Sequence, residues 1–177
     1  MRNLIKFFAV ILLVFGYTSC DELDKLTEVD FDATITDIID VNPINGGVDV
    51  PINNSRTIKL ADAGGDVQEY INNIESVTFN SLTYQVINFM GDAAGTMTVD
   101  IIADGVIMDT HTDVIVSSQV GTIHEITDTA TLNAIASDLK NGNSVIFSID
   151  GTATSDEGGM DFDIQVSLDL AVVADAL

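Results

Sequence analysis

Apolar and polar residues alternate along most of the chain from Val29 onward, and the alternation is most regular near the C-terminal end. The apolar positions of this last run are Phe162, Ile164, Val166, Leu168 and Leu170. A period of two is typical of a β-strand with one buried face and one face in water. Residues 145–149 show the same pattern, so the two runs are predicted to form a long half-buried hairpin around a loop at 154–159.

Shorter runs of the same kind predict strands earlier in the chain. They lie at residues 29–36, 57–61, 77–86, 96–103, 106–110, 113–117 and 122–126. Apolar residues at 38–41 extend the first run across a bulge, and Asn80-Ser81 predicts a second bulge because the alternation changes parity there. Asp104-Gly105 between two runs predicts a two-residue hairpin turn, since both turn positions require a positive φ.

Two segments show apolar residues at helical spacing instead. These residues are Val67, Tyr70, Ile71 and Ile74 in the first segment and Leu132, Ile135, Ala136 and Leu139 in the second. Asp66 and Glu69 open the first segment in the form of a capping box. Asp128 is the predicted N-cap of the second segment, and Gly142 stands just past its end. Two short helices are therefore predicted among the strands.

The order of these elements predicts the fold class and the domain organisation. About eight strands with two short helices indicate an all-β fold, an antiparallel β-sandwich. A flattened β-barrel is the alternative, because one sequence does not show how the strands connect. The length is that of one domain of ordinary size. Residues 29–177 are assigned to this domain, 20–28 to a tether and 1–19 to an N-terminal segment of a different kind.

Residues 1–19 have the composition of a secretory signal peptide. Arg2 and Lys6 supply positive charge, the residues from there to Phe15 are apolar, and Thr18 and Ser19 are small. The apolar run is shorter than the about 20 residues that a membrane-spanning helix needs. These features predict export and removal of the segment, which is left out of the fold.

The only cysteine follows directly, in the sequence Thr18-Ser19-Cys20. This sequence resembles the lipobox of bacterial lipoproteins, with Tyr17 at a position where Leu is commonest. The resemblance implies that the chain is cut before Cys20 and that this cysteine carries acyl chains such as palmitate. A lone cysteine in an exported chain cannot form an internal disulfide, which favours lipid attachment. An ordinary signal peptide that leaves Cys20 as a free thiol is the alternative.

The lipid and the residues after it predict where the protein is held. Several acyl chains hold a protein firmly on a membrane, since each buried CH₂ contributes about 0.8 kcal/mol. Asp21 and Glu22 resemble the export signals of surface lipoproteins in some Gram-negative bacteria. Asp directly after the cysteine also resembles an inner-membrane retention signal, and the sequence does not decide between them. The outer membrane or the cell surface is the favoured location, with residues 21–28 as a short polar tether.

The composition is strongly acidic, with 28 Asp and Glu against 6 Lys and Arg and a formal net charge of −22. The bases that follow the signal segment are Lys25, Arg56, Lys59 and Lys140. They are too few for a nucleic-acid footprint or for adhesion to an anionic bilayer, so membrane attachment depends on the lipid. The chain has no Trp and few Phe and Tyr residues, which weakens the case for a glycan site built on aromatic stacking.

The sequence contains no pattern typical of an enzyme, and no catalytic residue is assigned. His111 and His124 are the only histidines, and neither lies near a distinctive serine as in a serine hydrolase. They stand 13 residues apart with no third neutral ligand nearby, so a zinc site is not predicted. Each is expected to be an exposed strand residue. Glycoside hydrolysis requires a pair of carboxylates. With 28 acidic residues, some pair will always lie at a suitable distance, so a pair does not indicate an enzyme.

One acidic segment is a candidate for Ca²⁺, which prefers several carboxylate and carbonyl oxygens. Asp156, Glu157, Asp161 and Asp163 crowd the loop within residues 150–163. The spacing does not match an EF-hand, and a solvated hairpin loop is the alternative reading. No metal ligand or cofactor is assigned.

These patterns together predict a lipid-anchored, non-catalytic module of the bacterial envelope that binds an unknown protein or glycan. The alternative is a structural accessory subunit of an envelope complex, docking by an edge or a face of the sandwich. A hydrolase is a remote third class.

Overall fold

The structure is a computed structural model that describes residues 28–41, 44–156 and 158–176. Eight strands make up most of it: β1 (Glu28–Asp40), β2 (Gly47–Lys59), β3 (Ile74–Gly91), β4 (Thr96–Ala103), β5 (Val106–Ile115), β6 (His124–Glu125), β7 (Ser144–Ser155) and β8 (Met160–Asp175). The helical segments are a 3₁₀ turn (Leu60–Ala63), α1 (Gly65–Tyr70), α2 (Val116–Gln119) and α3 (Thr129–Gly142). The prediction of an all-β fold is confirmed.

The strands form two antiparallel sheets of four, in the orders β1-β8-β3-β6 and β2-β7-β4-β5. Only β4 and β5 are consecutive strands within one sheet, and every other consecutive pair is divided between the two sheets. Eight antiparallel strands connected in this way form a double-sheet jelly roll. The predicted β-sandwich is confirmed, and the described strands do not close into the flattened barrel that was its alternative.

β8 is a central strand, which explains why its alternation is the most regular in the chain. It pairs with β1 on one side and β3 on the other. Its even-numbered residues from Phe162 to Val172 are at most 1% exposed, and the residues between them are half-buried. They share one core with inward-facing residues of β7 such as Phe147. Each large side chain buried in this way contributes about 1.5–3 kcal/mol to folding.

The predicted hairpin of the two last strands is wrong. β7 pairs with β2 and β4, whereas β8 pairs with β1 and β3, so the loop between them crosses from one sheet to the other. Both strands bury one face in the same core, and that pattern is identical for hairpin partners and for strands of opposing sheets. Gly158 and Gly159, with φ of 80° and 85°, turn the chain at this crossing.

Several strand boundaries also differ from the prediction. The predicted runs at 106–110 and 113–117 belong to one strand, β5, residues 116–119 form α2, and the run at 122–126 is reduced to the two residues of β6. β2 runs from Gly47 to Lys59, although only its end was expected from the sequence. Pro51 and the polar residues at 53–55 hide the pattern, because β2 is an edge strand and most of its residues are exposed. β1 continues to Asp40 in unbroken register with β8, so the bulge expected before residue 38 is absent.

Two local predictions are confirmed in the first half of the sandwich. The register of β3 against β8 shifts between Phe79 and Ser81, at the predicted bulge. Asp104 and Gly105 join β4 to β5 with φ values of 43° and 81°, as the two-residue hairpin turn requires. Both features depend on short-range geometry, which the sequence specifies directly.

The two predicted helices are present, but the first ends at Tyr70, with Ile74 already in β3, and only the second has the predicted cap. α3 begins after Asp128, whose carboxylate accepts a hydrogen bond from the backbone N–H of Thr131 at 2.8 Å. α1 begins after Gly64 without a side-chain cap, so the capping box expected at Asp66 is wrong. α3 packs against β3 and β7 and buries Ile135 and Leu139 completely.

None of the helices in the described part of the chain combines the length and the apolar character that a bilayer crossing requires.

Candidate functional site

Four polar side chains from both sheets meet at one edge of the sandwich. β6 is the outermost strand of the first sheet and β5 the outermost strand of the second. Between them lie Tyr84 of β3, His124 of β6, and Asp109 and His111 of β5. We call these four residues the edge cluster. They are the only place in the described residues where three or more histidine, cysteine or acidic side chains come close enough to share a metal ion.

The strand register directs Asp109 and His111 inward. Asp109 is paired with Ile101 and His111 with Val99 on the neighbouring strand β4. Residues directly opposite in an antiparallel pair point to the same face of the sheet. Because Ile101 and Val99 are buried in the core, their partners face the interior too, at the margin where β5 ends the sheet.

The other half of the edge cluster is a direct cross-strand pair. Tyr84 is opposite His124 in the register of β3 against β6. Tyr84 is only 3% exposed, and its ring stacks on that of His124 with centroids 4.9 Å apart and planes 11° apart. The imidazole of His111 approaches that of His124 edge-on, also with centroids 4.9 Å apart. The rings therefore bridge the two sheets.

The hydroxyl of Tyr84 connects the members of the edge cluster by hydrogen bonds. It lies 2.5 Å from Oδ2 of Asp109 and 2.8 Å from Nε2 of His111. An ionised carboxylate only accepts, so the single hydroxyl proton is donated to Asp109. Nε2 of His111 must then carry a hydrogen and donate to the tyrosine oxygen. This assigns the neutral ring the tautomer that leaves Nδ1 with a free lone pair.

Burial and these contacts shift the ionisation of three groups. Burial, followed by the hydrogen bond to Asp109, raises the pKa of Tyr84 well above its ordinary value. Burial lowers the pKa of His111, with Asp109 opposing the shift. Burial also opposes ionisation of Asp109, but hydrogen bonds from Tyr84 and from the N–H of Thr110 outweigh it and lower its pKa. At neutral pH the site therefore holds a phenol, a carboxylate and a neutral His111 imidazole.

The expectation that both histidines are exposed strand residues is wrong. The side chain of His111 is only 11% exposed, and both histidines are half-buried in the edge cluster. Asp109 and His111 stand two residues apart, so they share one face of a strand, and this spacing was a usable signal. The sequence does not show that His124 lies beside them, because β5 and β6 belong to different sheets.

A second polar feature lies on the outer face of the first sheet. Hydroxyl and amide side chains line a groove of about 280 Å³ there: Thr36 of β1, Thr83 and Gln85 of β3, and Gln165 and Ser167 of β8. We call this set the polar groove. Exposed Ile123 and part of Tyr84 complete its wall, so the polar groove adjoins the edge cluster. Thr36 and Ser167 are hydrogen-bonded at 3.0 Å, and Gln85 donates to Gln165 at 2.5 Å.

The acidic segment proposed for Ca²⁺ does not assemble among its described carboxylates. Asp156 lies in the loop, with its N–H donating to Asp92, whereas Asp161 and Asp163 belong to β8. The Asp163 side chain accepts a hydrogen bond from Asn88. These three do not form a group that could hold a metal, and Glu157 lies outside the described residues. Cys20, the predicted site of lipid attachment, also lies outside them.

Comparisons with known proteins give only distant similarities. No family model and no curated protein matches the chain. Among solved structures, the chain is similar to the decameric capsid protein of BFDV (7% identity, TM-score 0.39, covering 82% of this chain and 98% of that one). It is also similar to Desmodium yellow mottle tymovirus (7% identity, TM-score 0.41, covering 84% and 90%). Nothing about function follows from similarities of this size.

Proposed function

We propose that this chain is a lipid-anchored, non-catalytic binding module held on the outer membrane or surface of a bacterial cell. The anchor is proposed from the lipobox-like Thr18-Ser19-Cys20. β1 begins at Glu28, so the seven residues 21–27 lie between the anchor and the sandwich. Even fully extended, they span at most about 30 Å. The module would therefore remain close to the membrane, where it meets partners attached to the envelope.

The observation that carries the binding role is the polar groove. Its five hydroxyl and amide side chains converge on one concavity of about 280 Å³. Ligand sites usually measure about 300–1,000 Å³ and orient the ligand with a few polar groups. All five groups are uncharged, in a chain with a net charge of −22. A neutral, hydroxyl-rich ligand such as a glycan chain suits them better than an ionic one.

The non-catalytic part of the proposal is based on the sequence, which contains no pattern typical of an enzyme.

The second candidate function is a structural accessory subunit. It is favoured by one patch of exposed apolar side chains. Val106, Ile107 and Ile146 are 38%, 55% and 49% exposed. Asp104 joins their two strands, since its N–H donates to the carbonyl of Ile146 and its carboxylate accepts from the N–H of Ile146. Exchange of Ile107 and Ile146 for Ser would weaken a docked complex and leave ligand binding at the polar groove intact.

Cell fractionation tests the anchor. Wild type is expected in the membrane fraction and is expected to be removed from intact cells by external protease. The variant Cys20→Ala is expected to lose membrane attachment, whereas the control Ser19→Ala keeps a small residue at that position and should behave as wild type. Equal distribution of wild type and Cys20→Ala would contradict the proposal.

A glycan array tests the binding role, using the lipoprotein extracted from membranes in detergent. The double variant Gln85→Ala, Gln165→Ala removes both amides of the polar groove and should abolish any signal that wild type gives. The matched control Ser148→Ala lies on the outer face of the other sheet and should not change it. Binding that survives the double variant, or no binding to any glycan, would contradict a glycan ligand at the polar groove.

A further inference from the structure

We propose that Asp109, His111 and His124 form a binding site for a divalent transition metal, with Zn²⁺ as the best-suited ion. The inference concerns the edge cluster and does not depend on the lipid anchor or on the polar groove. The binding module would thus also hold an ion, and that ion would join its two sheets.

The ligand types select the class of metal. Two imidazoles and one carboxylate are a donor set that Zn²⁺ accepts in proteins. Imidazole nitrogen suits Zn²⁺, Cu²⁺, Ni²⁺ and Fe²⁺, whereas Ca²⁺ and Mg²⁺ prefer oxygen ligands alone. The edge cluster therefore favours a transition metal over the Ca²⁺ considered for the acidic loop.

The distances require only small movements. One ligand atom from each of the three side chains lies within 4.8 Å of the other two. Zn²⁺ binds nitrogen and carboxylate oxygen at about 2.0–2.2 Å in tetrahedral geometry, so two ligands of one ion lie about 3.4 Å apart. Nε2 of His111 lies 3.9 Å from Oδ2 of Asp109, and to bind the ion it would give up its hydrogen bond to Tyr84, with the ring hydrogen carried on Nδ1 instead. Rotation of side chains at the edge of the sandwich would bring the ligand atoms up to about 1.4 Å closer together.

The carboxylate already has the outer hydrogen bonds that orient metal ligands. Its Oδ2 accepts from the hydroxyl of Tyr84, and its Oδ1 accepts from the N–H of Thr110 at 2.8 Å. Such partners fix the orientation of a ligand and strengthen metal binding. Each oxygen keeps a further lone pair for the ion. Tyr84 would therefore act as a positioning residue, and its ring also holds His124 by stacking.

At this location an ion could enter from solvent and would stabilise the fold by joining the two sheets. The side chain of Asp109 is 40% exposed, so the site opens to solvent on that side. His124 belongs to the first sheet and the two β5 ligands to the second. An ion held by all three would cross-link the sheets, and a ligand that binds only the folded state stabilises it. Three protein ligands would leave a fourth position for water or for a group of a bound partner.

Metal titration of the full lipoprotein tests the proposal. The protein is extracted in detergent, stripped with a chelator and titrated with Zn²⁺, Co²⁺ or Ca²⁺. We expect one equivalent of Zn²⁺ to bind and raise the melting temperature, Co²⁺ to give the visible absorption of a low-coordinate site, and Ca²⁺ to give no comparable shift. Absence of saturable Zn²⁺ binding near one equivalent would overturn the site.

Variants locate the bound ion. His111→Gln and His124→Gln should each lower Zn²⁺ affinity by more than about 100-fold, because loss of an outer partner alone costs about 10–100-fold. The control Asp161→Asn, Asp163→Asn removes two acids of β8 outside the edge cluster and should leave the affinity unchanged. If a histidine variant fails to fold, Asp109→Asn provides the same test. If the Zn²⁺ affinity falls in the control and not in the ligand variants, Zn²⁺ binds the acidic surface. That result would contradict the proposal.

Discussion

Tyr84 and His124 are direct partners across β3 and β6, and their rings stack at 4.9 Å with an angle of 11° between the planes. β6 has only two residues, so this pair is half of its register with β3. The stack places the imidazole of His124 beside that of His111, which comes from the other sheet. A two-residue strand thus fixes one side of the edge cluster.

The hydroxyl of Tyr84 should contribute measurably to stability. Tyr84→Phe keeps the stacked ring but removes the hydrogen bonds to Asp109 and His111. We expect a loss of about 1–2 kcal/mol in the free energy of unfolding, since hydrogen bonds to charged groups contribute about 1.5–3 kcal/mol when buried and Asp109 is partly exposed. Urea unfolding measures the change. Tyr70→Phe, at a half-buried tyrosine of α1 beside Phe31, is the control and should cost less. Equal costs for the two variants would contradict the role of the hydroxyl.

Gly151 should tolerate no side chain. Its φ is +155°, and an added Cβ would overlap the carbonyl oxygen of Thr98 on the neighbouring strand β4. Gly151→Ala must therefore push β7 away from β4, and we expect a loss of about 1–3 kcal/mol or more. Gly142→Ala is the matched control, because nothing lies within 4 Å of its added Cβ. Thermal melts compare the two variants. A Gly151→Ala protein as stable as Gly142→Ala would contradict the close approach of β7 and β4.

Asp128 should stabilise the start of α3 in a pH-dependent way. Its hydrogen bonds to Thr131 lower its pKa, so the stabilisation is present above the unfolded-state pKa and is lost as the pH falls through the folded-state value. We expect Asp128→Ala to lower the melting temperature at pH 7 by a few degrees and by less below pH about 4. The control Asp138→Ala replaces an exposed acid within the same helix and should be neutral or stabilising. A pH-independent difference would argue against capping by the ionised carboxylate.

Local features of the fold follow from the sequence. The alternation of β8, the Asp104-Gly105 turn and the cap of α3 each depend on residues close together in the chain. The pairing partners of each strand, in contrast, do not depend on residues close together in the chain. β7 and β8 show the same alternation as a hairpin, yet they lie in opposing sheets because inward-facing residues pack in one core from either side.

The candidate site was largely hidden for the same reason. The pair Asp109 and His111 can be recognised on one face of a strand, but His124 joins them only through the meeting of two sheet edges. Tyr84 has the pattern of any buried strand residue, and nothing in its sequence neighbours indicates a polar contact. The polar groove combines β1, β3 and β8, so its members come together only once the strand order is known.

The chemical state of the N-terminus decides whether the protein is held by lipid. Mass spectrometry of the N-terminal peptide, taken from protein purified from the membranes of expressing cells, measures both the cleavage site and any added lipid. We expect a chain that begins at Cys20 and carries several acyl groups. A mature chain that begins elsewhere, or an unmodified thiol at Cys20, would contradict the lipid-anchored module.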